Sequence, residues 1–355
     1  MNEKGIFIAD PTDPPCGRWI REIMEEEAAS PQYAEEILGR LKGEIGEIVV
    51  GYEEQVDDFI TCLLTDGHLL VQGVPGVAKT TLSKALTDAS GLTFRRIQFA
   101  QDLLPSDITG HYFYNQKLGD FEVRKGPVFA SVVLADEINR APPKTQSALL
   151  EAMQEKQVTI EGTTFKLPEP FLVVATLNPI ETEGVYPLPE AQLDRFLIRS
   201  SMDYLDSESE LEMLKLKGRP PGNSRQVLQP SDILRMRAGV YGVHMHESLV
   251  EYVRDIMRAN RDAEELELGL SPRGGMHLML AARGHAYLSG RDYVIPDDIK
   301  SMAHKVIDHR VILTPEADLE GLTPGSVTES VLSEVPIPKG DFSEDDPHHL
   351  EQKSE

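Results

Sequence analysis

Cysteine is almost absent from the sequence, and so are long hydrophobic runs. The 355 residues include two cysteines, Cys16 and Cys62, which are far apart and lack any metal-ligand spacing. A disulfide scaffold and a zinc site are therefore excluded. No run approaches the roughly 20 apolar residues that a membrane-spanning helix needs, and the N-terminus lacks the pattern of a secretory signal. We therefore expect a cytoplasmic protein without a membrane span.

Positive charge is the second deficit. Lys and Arg number 35 against 59 Asp and Glu, which gives a formal net charge of −24 at pH 7. Nucleic-acid binding depends on cations that neutralise phosphates, so this balance argues against nucleic acid as a partner. Hydrophobic residues make up 40% of the chain and charged residues 26%, an ordinary globular composition. The length predicts about two domains.

Short apolar runs alternate with helical patterns between residues 67 and 200, which predicts an α/β sandwich with a parallel sheet. The expected strands are 69–72, 95–99, 132–135, 171–176 and 196–198, the expected helices lie near 79–89 and 142–155, and the hairpins lie near 111–123 and 158–167. We expect an N-terminal extension at 1–30 with a short helix near 19–27, the α/β core at 31–203, a polar linker at 204–230, an all-α domain at 231–338 and a disordered acidic tail at 339–355.

A glycine-rich loop lies between the first strand and the helix that follows it. Its residues are Gly73, Val74, Pro75, Gly76, Val77, Ala78, Lys79 and Thr80, and Thr81 continues the helix. A P-loop requires this order of strand, loop and helix. Loop N–H groups and the helix dipole would bind nucleotide phosphates, Lys79 would reach the β- and γ-phosphates, and Thr80 would hold Mg²⁺. Ala78 replaces the usual glycine, and the alternative is a glycine loop without a ligand.

Polar residues follow two other apolar strands. Asp136 and Glu137 end the run that begins at Val132, and Asn178 follows a run that begins at Val173. Ligands of open α/β sheets bind at the carboxyl ends of the strands, so Asp136 is a candidate Mg²⁺ ligand and Glu137 a candidate general base. Asn178 could orient the attacking water. The alternatives are strand-capping carboxylates and a simple Asn-Pro turn.

Two arginines are candidates for stabilising charge on a transferred phosphoryl group. Arg195 lies 17 residues after Asn178 and could act as a finger on a neighbouring subunit. Arg273 opens a helix in the second domain and could contact the γ-phosphate. The alternatives are a surface Arg195 paired with Asp194 or Glu190, and a solvated Arg273.

These five features, in this order, resemble an AAA+ ATPase, and their detail resembles the MoxR family. The segments that carry the resemblance are the loop 73–80, DLLPSDITG at 102–110, KGPVFA at 125–130, LADEINRAPPKTQSALLEAM at 134–153, EGVYPLPEAQLDRF at 183–196 and SPR at 271–273. The resemblance covers about 31–335, and the family's loop has the Ala78 form. The departures are Ala100-Gln101 before Asp102, Leu177 beside Asn178, and Gly274-Gly275 after Arg273, which could loosen that helix start.

The resemblance implies an AAA+ P-loop αβα sandwich with a parallel sheet and a smaller all-α lid domain. It implies ATP and Mg²⁺ as cofactors and a homo-oligomer, a hexameric ring with ATP at subunit interfaces. The residues acting within one subunit would be Lys79, Thr80, Asp136, Glu137 and Asn178, while Arg195 would act on the neighbour and Arg273 on either. The hairpins would be a helix-2 insert at about 111–123 and a pre-sensor-1 hairpin at about 158–167.

MoxR-family proteins resemble chaperones that work with von Willebrand factor A-domain proteins and remodel, mature or activate client proteins. The expected function is therefore Mg²⁺-dependent ATP hydrolysis that drives such remodelling. A magnesium-chelatase-like motor subunit and a nucleotide-gated scaffold with little turnover are the alternatives. A DNA motor of a related helicase clade is weakened by the charge of −24.

Overall fold

A five-stranded parallel sheet forms the centre of the computed structural model, which describes residues 28–178, 184–217 and 224–343. The expected short helix near 19–27, the middle of the expected linker and most of the expected acidic tail lie outside the described residues. In chain order, the strands are β1 Leu69–Gly73, β2 Phe94–Gln98, β3 Gly110–Asn115, β4 Asp120–Lys125, β5 Val132–Asp136, β6 Gln157–Ile160, β7 Thr163–Lys166, β8 Leu172–Leu177, β9 Ile198–Met202, β10 Leu266–Leu268 and β11 Ile312–Leu313.

The order of strands across the central sheet is β2-β5-β8-β1-β9, with all neighbours parallel. The remaining strands form three antiparallel pairs, β3–β4, β6–β7 and β10–β11. The first two pairs are the expected hairpins. The parallel α/β fold that the alternation of strands and helices predicts is confirmed.

The helices of the described residues surround this sheet and continue beyond it. They are α1 Pro31–Gly46, α2 Glu53–Leu64, α3 Lys79–Ala89, α4 Pro105–Thr109, α5 Pro143–Glu155, α6 Glu190–Leu193, α7 Ser207–Lys217, α8 Pro230–Tyr241, α9 Glu247–Asp262, α10 Pro272–Leu288, α11 Pro296–Ile307, α12 Pro315–Leu319 and α13 Pro324–Glu334, with one 3₁₀ turn at Ile138–Arg140. In these ranges, no helix combines the length and the apolar character needed to cross a membrane.

Alternate residues of the central strands enter two hydrophobic cores. Leu134 and Val174 belong to the core that α1, α2, α3 and the C-terminal helices share, while Val133 and Val173 face the core beneath α5 and the hairpins. Side chains alternate between the faces of a strand, so a sheet covered on both faces requires continuous apolar strands. This explains the uninterrupted apolar runs of the sequence.

The expected linker at 204–230 differs from the structure because it contains the helix α7. Asp206 caps this helix: its Oδ1 accepts hydrogen bonds from the N–H groups of Glu208 and Ser209, both at 2.9 Å. The helix is rich in Glu, Leu and Lys, which favour helices. A prediction from polar composition alone overlooked this cap.

The expected start of the disordered tail at 339 also differs from the structure. Phe342 packs partly buried against the larger core, and its ring lies 6.1 Å from the ring of His246 in an edge-on contact. An aromatic side chain that buries apolar surface can hold a short polar segment against the protein. The ordered chain therefore extends at least to Phe342.

The paired glycines after Arg273 do not loosen the start of α10. Ser271 caps the helix, since its Oγ accepts a hydrogen bond from the N–H of Gly274 at 3.0 Å. A Cβ at Gly274 would lie 2.3 Å from a methyl carbon of Leu270, and one at Gly275 would lie 2.1 Å from the sulfur of Met257. The glycines thus allow close packing around this helix start.

Buried ion pairs fasten the C-terminal helices to the core. Nη1 of Arg237 on α8 lies 2.7 Å from Oδ1 of Asp66, and Nζ of Lys305 on α11 lies 2.7 Å from Oδ1 of Asp58 on α2. The Tyr287 hydroxyl on α10 donates a hydrogen bond to the carbonyl of Ala29 at 2.8 Å. These contacts hold α8, α10 and α11 against the rest of the chain, and Arg273 lies in the first turn of α10.

Candidate functional site

The glycine-rich loop connects β1 to the N-terminus of α3, as a phosphate-binding loop requires. Pro75 and Gly76 are exposed, and Gly76 has a φ of +89° with no atom within 4 Å of where a Cβ would lie. Lys79, Thr80 and Thr81 form the first turn of α3, whose leading N–H groups have no partner within the helix. The loop is therefore open toward a ligand at a helix N-terminus, where an anion is stabilised.

The Lys79 ammonium group lies between the loop and the acidic strand end. Its Nζ donates a hydrogen bond to the carbonyl of Gly73 at 2.5 Å. Burial lowers the pKa of Lys79, and the nearby carboxylates of Asp136 and Glu137 oppose that shift. The ammonium group of Lys79, which is predicted to bind phosphates, therefore lies near the carboxylates of both acidic residues.

Two residues of this site have a backbone conformation that side chains rarely adopt. Ala78 has a φ of +58° immediately before α3, and Glu137 has a φ of +56° immediately after β5. Such left-handed geometry costs a non-glycine residue about 1–2 kcal/mol. Strained residues of this kind cluster at functional sites, where the conformation aims a group at a ligand.

Asp136 is held by hydrogen bonds to both carboxylate oxygens. Its Oδ1 accepts from the Thr176 hydroxyl at 2.7 Å, and its Oδ2 accepts from Nη2 of Arg96 at 2.5 Å and Nε at 3.1 Å. The Thr176 hydroxyl also accepts from the backbone N–H of Glu137 at 2.8 Å. Thr176 thereby orients the two acidic residues relative to each other.

Glu137 contacts polar side chains from two elements. Its Oε2 accepts a hydrogen bond from Nε2 of Gln98 at 2.7 Å and lies 3.1 Å from Nε of Arg140. Sequence reasoning missed Arg96, Gln98, Thr176 and Arg140 as members of this site. The available signal was a pair of polar residues two apart on the strand that precedes the acidic one, since such residues share one face of a strand.

Asn178 lies between the loop and the acidic residues, as the sequence predicts. It follows β8, which is paired with β5 on one side and β1 on the other. The preceding residue, Leu177, is aligned with Gln72 at the end of β1. The structure therefore brings the loop, Asp136, Glu137 and Asn178 together at the carboxyl edge of the sheet.

Arg195 lies at the amino-terminal edge of the sheet, opposite the carboxyl edge that carries the loop. It precedes β9, and the N–H of Leu197 donates to the carbonyl of His68, just before β1 begins. Gly73 is five residues beyond His68 along β1, a distance of about 17 Å in an extended strand. The buried Nε of Arg195 has no hydrogen-bond partner among the described residues.

Arg273 lies at this same edge and not beside the loop of its own chain. Its Nη1 is 3.7 Å from Oδ2 of Asp194, the residue before Arg195. The Ser271 hydroxyl donates to the same carboxylate at 3.2 Å. The two candidate arginines are therefore neighbours of each other, and both are remote from the loop of their own chain.

The buried guanidinium of Arg310 connects the amino-terminal edge of the sheet to the C-terminal helices. Arg310, whose side chain is 1% exposed, has its Nε 3.0 Å from Oδ1 of Asp194. Its Nη atoms also donate to the carbonyl groups of Phe196, Leu197 and Val306. Burial and the nearby Arg310 charge lower the pKa of His277 to about 3 and that of His309 well below its usual range, so both rings are neutral. Sequence reasoning missed this cluster.

Comparison with known proteins gives the family. A model of the ATPase family associated with various cellular activities (AAA) matches residues 68–198, and a model of the AAA lid domain matches residues 258–331. The Chaperone MoxR1 of Mycobacterium tuberculosis is 44% identical over 85% of this chain and 82% of its own length. The chain belongs to the MoxR family of AAA ATPases.

Two other similarities agree with membership of the MoxR family. The Bacillus subtilis protein YeaC, described as uncharacterized, is 45% identical over 85% of this chain and 95% of its own length. A crystal structure from Cytophaga hutchinsonii, described as that of a candidate ATPase, superimposes with a TM-score of 0.83 at 41% identity, covering 91% of this chain and all of that one. A magnesium-chelatase subunit of Arabidopsis thaliana is more distant, at 25% identity over 58% of this chain.

We expect the free energy of unfolding of this MoxR-family chain to depend on Asp194, which pairs with Arg310 where the AAA core contacts the lid. Asp194→Ala leaves the Arg310 cation buried without a counterion, which costs about 3 kcal/mol or more. Urea unfolding should show this loss. Glu190→Ala removes an exposed carboxylate four residues earlier, and should change the free energy of unfolding by less than about 0.5 kcal/mol. Equal effects of the two changes would contradict a structural role for the pair.

Proposed function

We propose that this chain is a chaperone-like MoxR-family ATPase that hydrolyses MgATP in sites shared between neighbouring copies of a hexameric ring. The hydrolysis would drive remodelling, maturation or activation of partner proteins. One observation carries the shared site: the loop and the acidic residues lie at the carboxyl edge of the sheet, whereas Arg195 and Arg273 lie at the other edge. An arginine side chain cannot cross about 17 Å within its own chain.

The nucleotide and metal would be held by residues of one chain. Loop N–H groups between Gly73 and Thr80 and the Lys79 ammonium group suit the phosphates of ATP. The Thr80 hydroxyl and the Asp136 carboxylate supply oxygen ligands, which Mg²⁺ prefers, and Mg²⁺ usually completes its shell with water and phosphate oxygens. Bound Mg²⁺ supplies neutralisation of charge on the β- and γ-phosphates.

Each polar residue at the carboxyl edge would have a separate role in hydrolysis. Glu137 would accept a proton from the attacking water, and its contacts with Gln98 and Arg140 orient its carboxylate. Asn178 would orient that water or the γ-phosphate from the adjacent strand end. Arg195 and Arg273 of the preceding copy would stabilise the charge on the transferred phosphoryl group. The structural position of Arg273 favours action on the neighbour over action within its own chain.

Protein partners are favoured by the exposed tip of the β3–β4 hairpin. Tyr114, Leu118 and Phe121 are 53%, 66% and 64% exposed, and the two rings contact each other at 5.3 Å between centroids. Clustered exposed apolar side chains are typical of surfaces that bind proteins. A von Willebrand factor A-domain protein and a client protein are the partners we propose, and a cytoplasmic location agrees with the composition.

The test is the ATPase rate per subunit as a function of protein concentration in the presence of Mg²⁺. We expect this rate to rise as subunits assemble, because a solitary chain lacks the arginines of a neighbour. Sedimentation of the same samples would relate activity to assembly, and EDTA should abolish the rate. A rate per subunit that is constant across assembly would contradict shared sites, and the absence of a rate despite ATP binding would favour the scaffold.

A further inference from the structure

Both carboxylate oxygens of Asp136 accept hydrogen bonds, and the donor to Oδ2 is a cation. Oδ1 accepts from the Thr176 hydroxyl at 2.7 Å, while Arg96 donates twice to Oδ2, from Nη2 at 2.5 Å and from Nε at 3.1 Å. A guanidinium group that donates two hydrogen bonds to a carboxylate is a strong partner. Any cation that approaches Oδ2, directly or through a water molecule, meets the charge of Arg96.

Arg96 is also connected to Glu137. Its Nη2 donates a hydrogen bond to Oε1 of Gln98 at 2.7 Å, and Nε2 of Gln98 donates to Oε2 of Glu137 at 2.7 Å. Arg96 and Gln98 lie two residues apart on β2 and share one face of the strand. One chain of hydrogen bonds therefore runs from Asp136 to Glu137 through β2.

Arg96 is placed so that it can leave Asp136. Strand β2 is an outermost strand of the central sheet. The Arg96 side chain is 47% exposed, whereas that of Asp136 is 15% exposed. An arginine at such a position can turn into solvent without opening the core. The carboxylate itself remains fixed by Thr176 when the guanidinium moves.

We propose that Arg96 is an internal competitor of Mg²⁺ at Asp136. Arg96 holds Oδ2 in this structure, and a metal ion that binds to this oxygen would displace it because two cations on one carboxylate oxygen repel each other. Its departure also breaks its hydrogen bond to Gln98, the residue that holds Glu137. Arg96 thus sets the Mg²⁺ concentration at which the site fills, a role that rests on the proposed assignment of Asp136 as a metal ligand.

The neighbouring arginine provides a matched control. Arg95 precedes Arg96 on β2, points to the other face of the strand, is exposed and donates to the carbonyl of Phe94 at 3.2 Å. Arg95→Gln and Arg96→Gln remove the same charge from adjacent positions. Only Arg96→Gln removes the donor to Asp136, so a difference between the variants reports on that contact.

The experiment measures metal binding in place of turnover. The full-length protein and each variant are mixed with ADP and titrated with Mn²⁺, and free Mn²⁺ is followed by electron paramagnetic resonance. We expect Arg96→Gln to lower the half-saturating Mn²⁺ concentration by about threefold to tenfold, and Arg95→Gln to leave it within about twofold of the wild type. ADP binding in EDTA should be the same for all three proteins.

Three outcomes would overturn the proposal. An unchanged or raised half-saturating concentration in Arg96→Gln would show that Arg96 does not compete. Equal decreases in both variants would show a general effect of charge, and weaker ADP binding of Arg96→Gln in EDTA would make Arg96 a phosphate ligand. Asp136→Asn distinguishes failure of the Arg96 proposal from failure of the proposed metal site. If this variant binds Mn²⁺ like the wild type, Asp136 is not a metal ligand and the metal site fails as well. If it loses Mn²⁺ binding, the metal site stands and any failure concerns the role of Arg96 alone.

Discussion

Replacing Glu137 with Gln should leave ATP bound and stop its hydrolysis. Glutamine keeps the size of the side chain but cannot take a proton from water, and loss of a general base lowers a rate by about 10²- to 10⁴-fold. The phosphate-binding loop and Lys79 are untouched, so the affinity for ATP should stay within about threefold of the wild type. Steady-state turnover and equilibrium binding of a fluorescent ATP analogue measure the two effects separately.

Replacing Lys79 with Ala should have the complementary result and abolish ATP binding. The Lys79 ammonium group lies 2.5 Å from the carbonyl of Gly73, where it can move to the phosphates that enter the loop. Lys84→Ala is the matched control, because Lys84 is exposed on the same helix and carries the same charge. Wild-type affinity in Lys79→Ala, or equal losses in both variants, would contradict a phosphate-binding role for Lys79.

The carboxyl edge of the sheet could be predicted because its residues are marked by local sequence. A strand, a glycine-rich loop and a helix follow one another between Leu69 and Ala89, and an apolar run ends at Asp136. These signals require only short-range geometry, since a parallel sheet places all its carboxyl strand ends on one edge. The positions of the loop, Glu137 and Asn178 follow from this rule alone.

The contacts at the amino-terminal edge of the sheet could not be predicted because they join residues far apart in sequence. Asp194 and Arg310 are separated by 116 residues, and nothing near either one indicates the pair. Gly274 shows the same limit: the sequence alone indicates flexibility at this glycine, while the structure shows close packing against Leu270. Tertiary packing decides the conformation at such positions.

Replacing Arg195 with Ala should also abolish turnover while ATP stays bound. An arginine that stabilises the transferred phosphoryl group accounts for about 10³-fold or more in rate. Arg195 lies at the edge opposite to its own loop, and its Nε has no partner among the described residues. Its loss should therefore cost little stability, which distinguishes it from loss of the neighbouring Asp194.

Mixed assemblies decide which chain supplies this arginine. Arg195→Ala retains Glu137, and Glu137→Gln retains Arg195, so an interface between the two variants in the right order contains both groups. Random assembly of equal amounts makes about one quarter of the interfaces complete, and turnover should return to a comparable fraction of the wild-type rate. Arg273→Ala mixed with Glu137→Gln should recover in the same way, because Arg273 lies beside Asp194 on the same edge.

A third mixture tests whether both arginines come from one neighbour. When Arg195→Ala is mixed with Arg273→Ala, every chain lacks one of the two, and no interface receives both from the same copy. We expect no recovery from this mixture, even though each variant recovers with Glu137→Gln. Recovery here would place Arg195 and Arg273 in different sites, and failure of all three mixtures in assembled rings would show that neither arginine acts on the neighbouring chain.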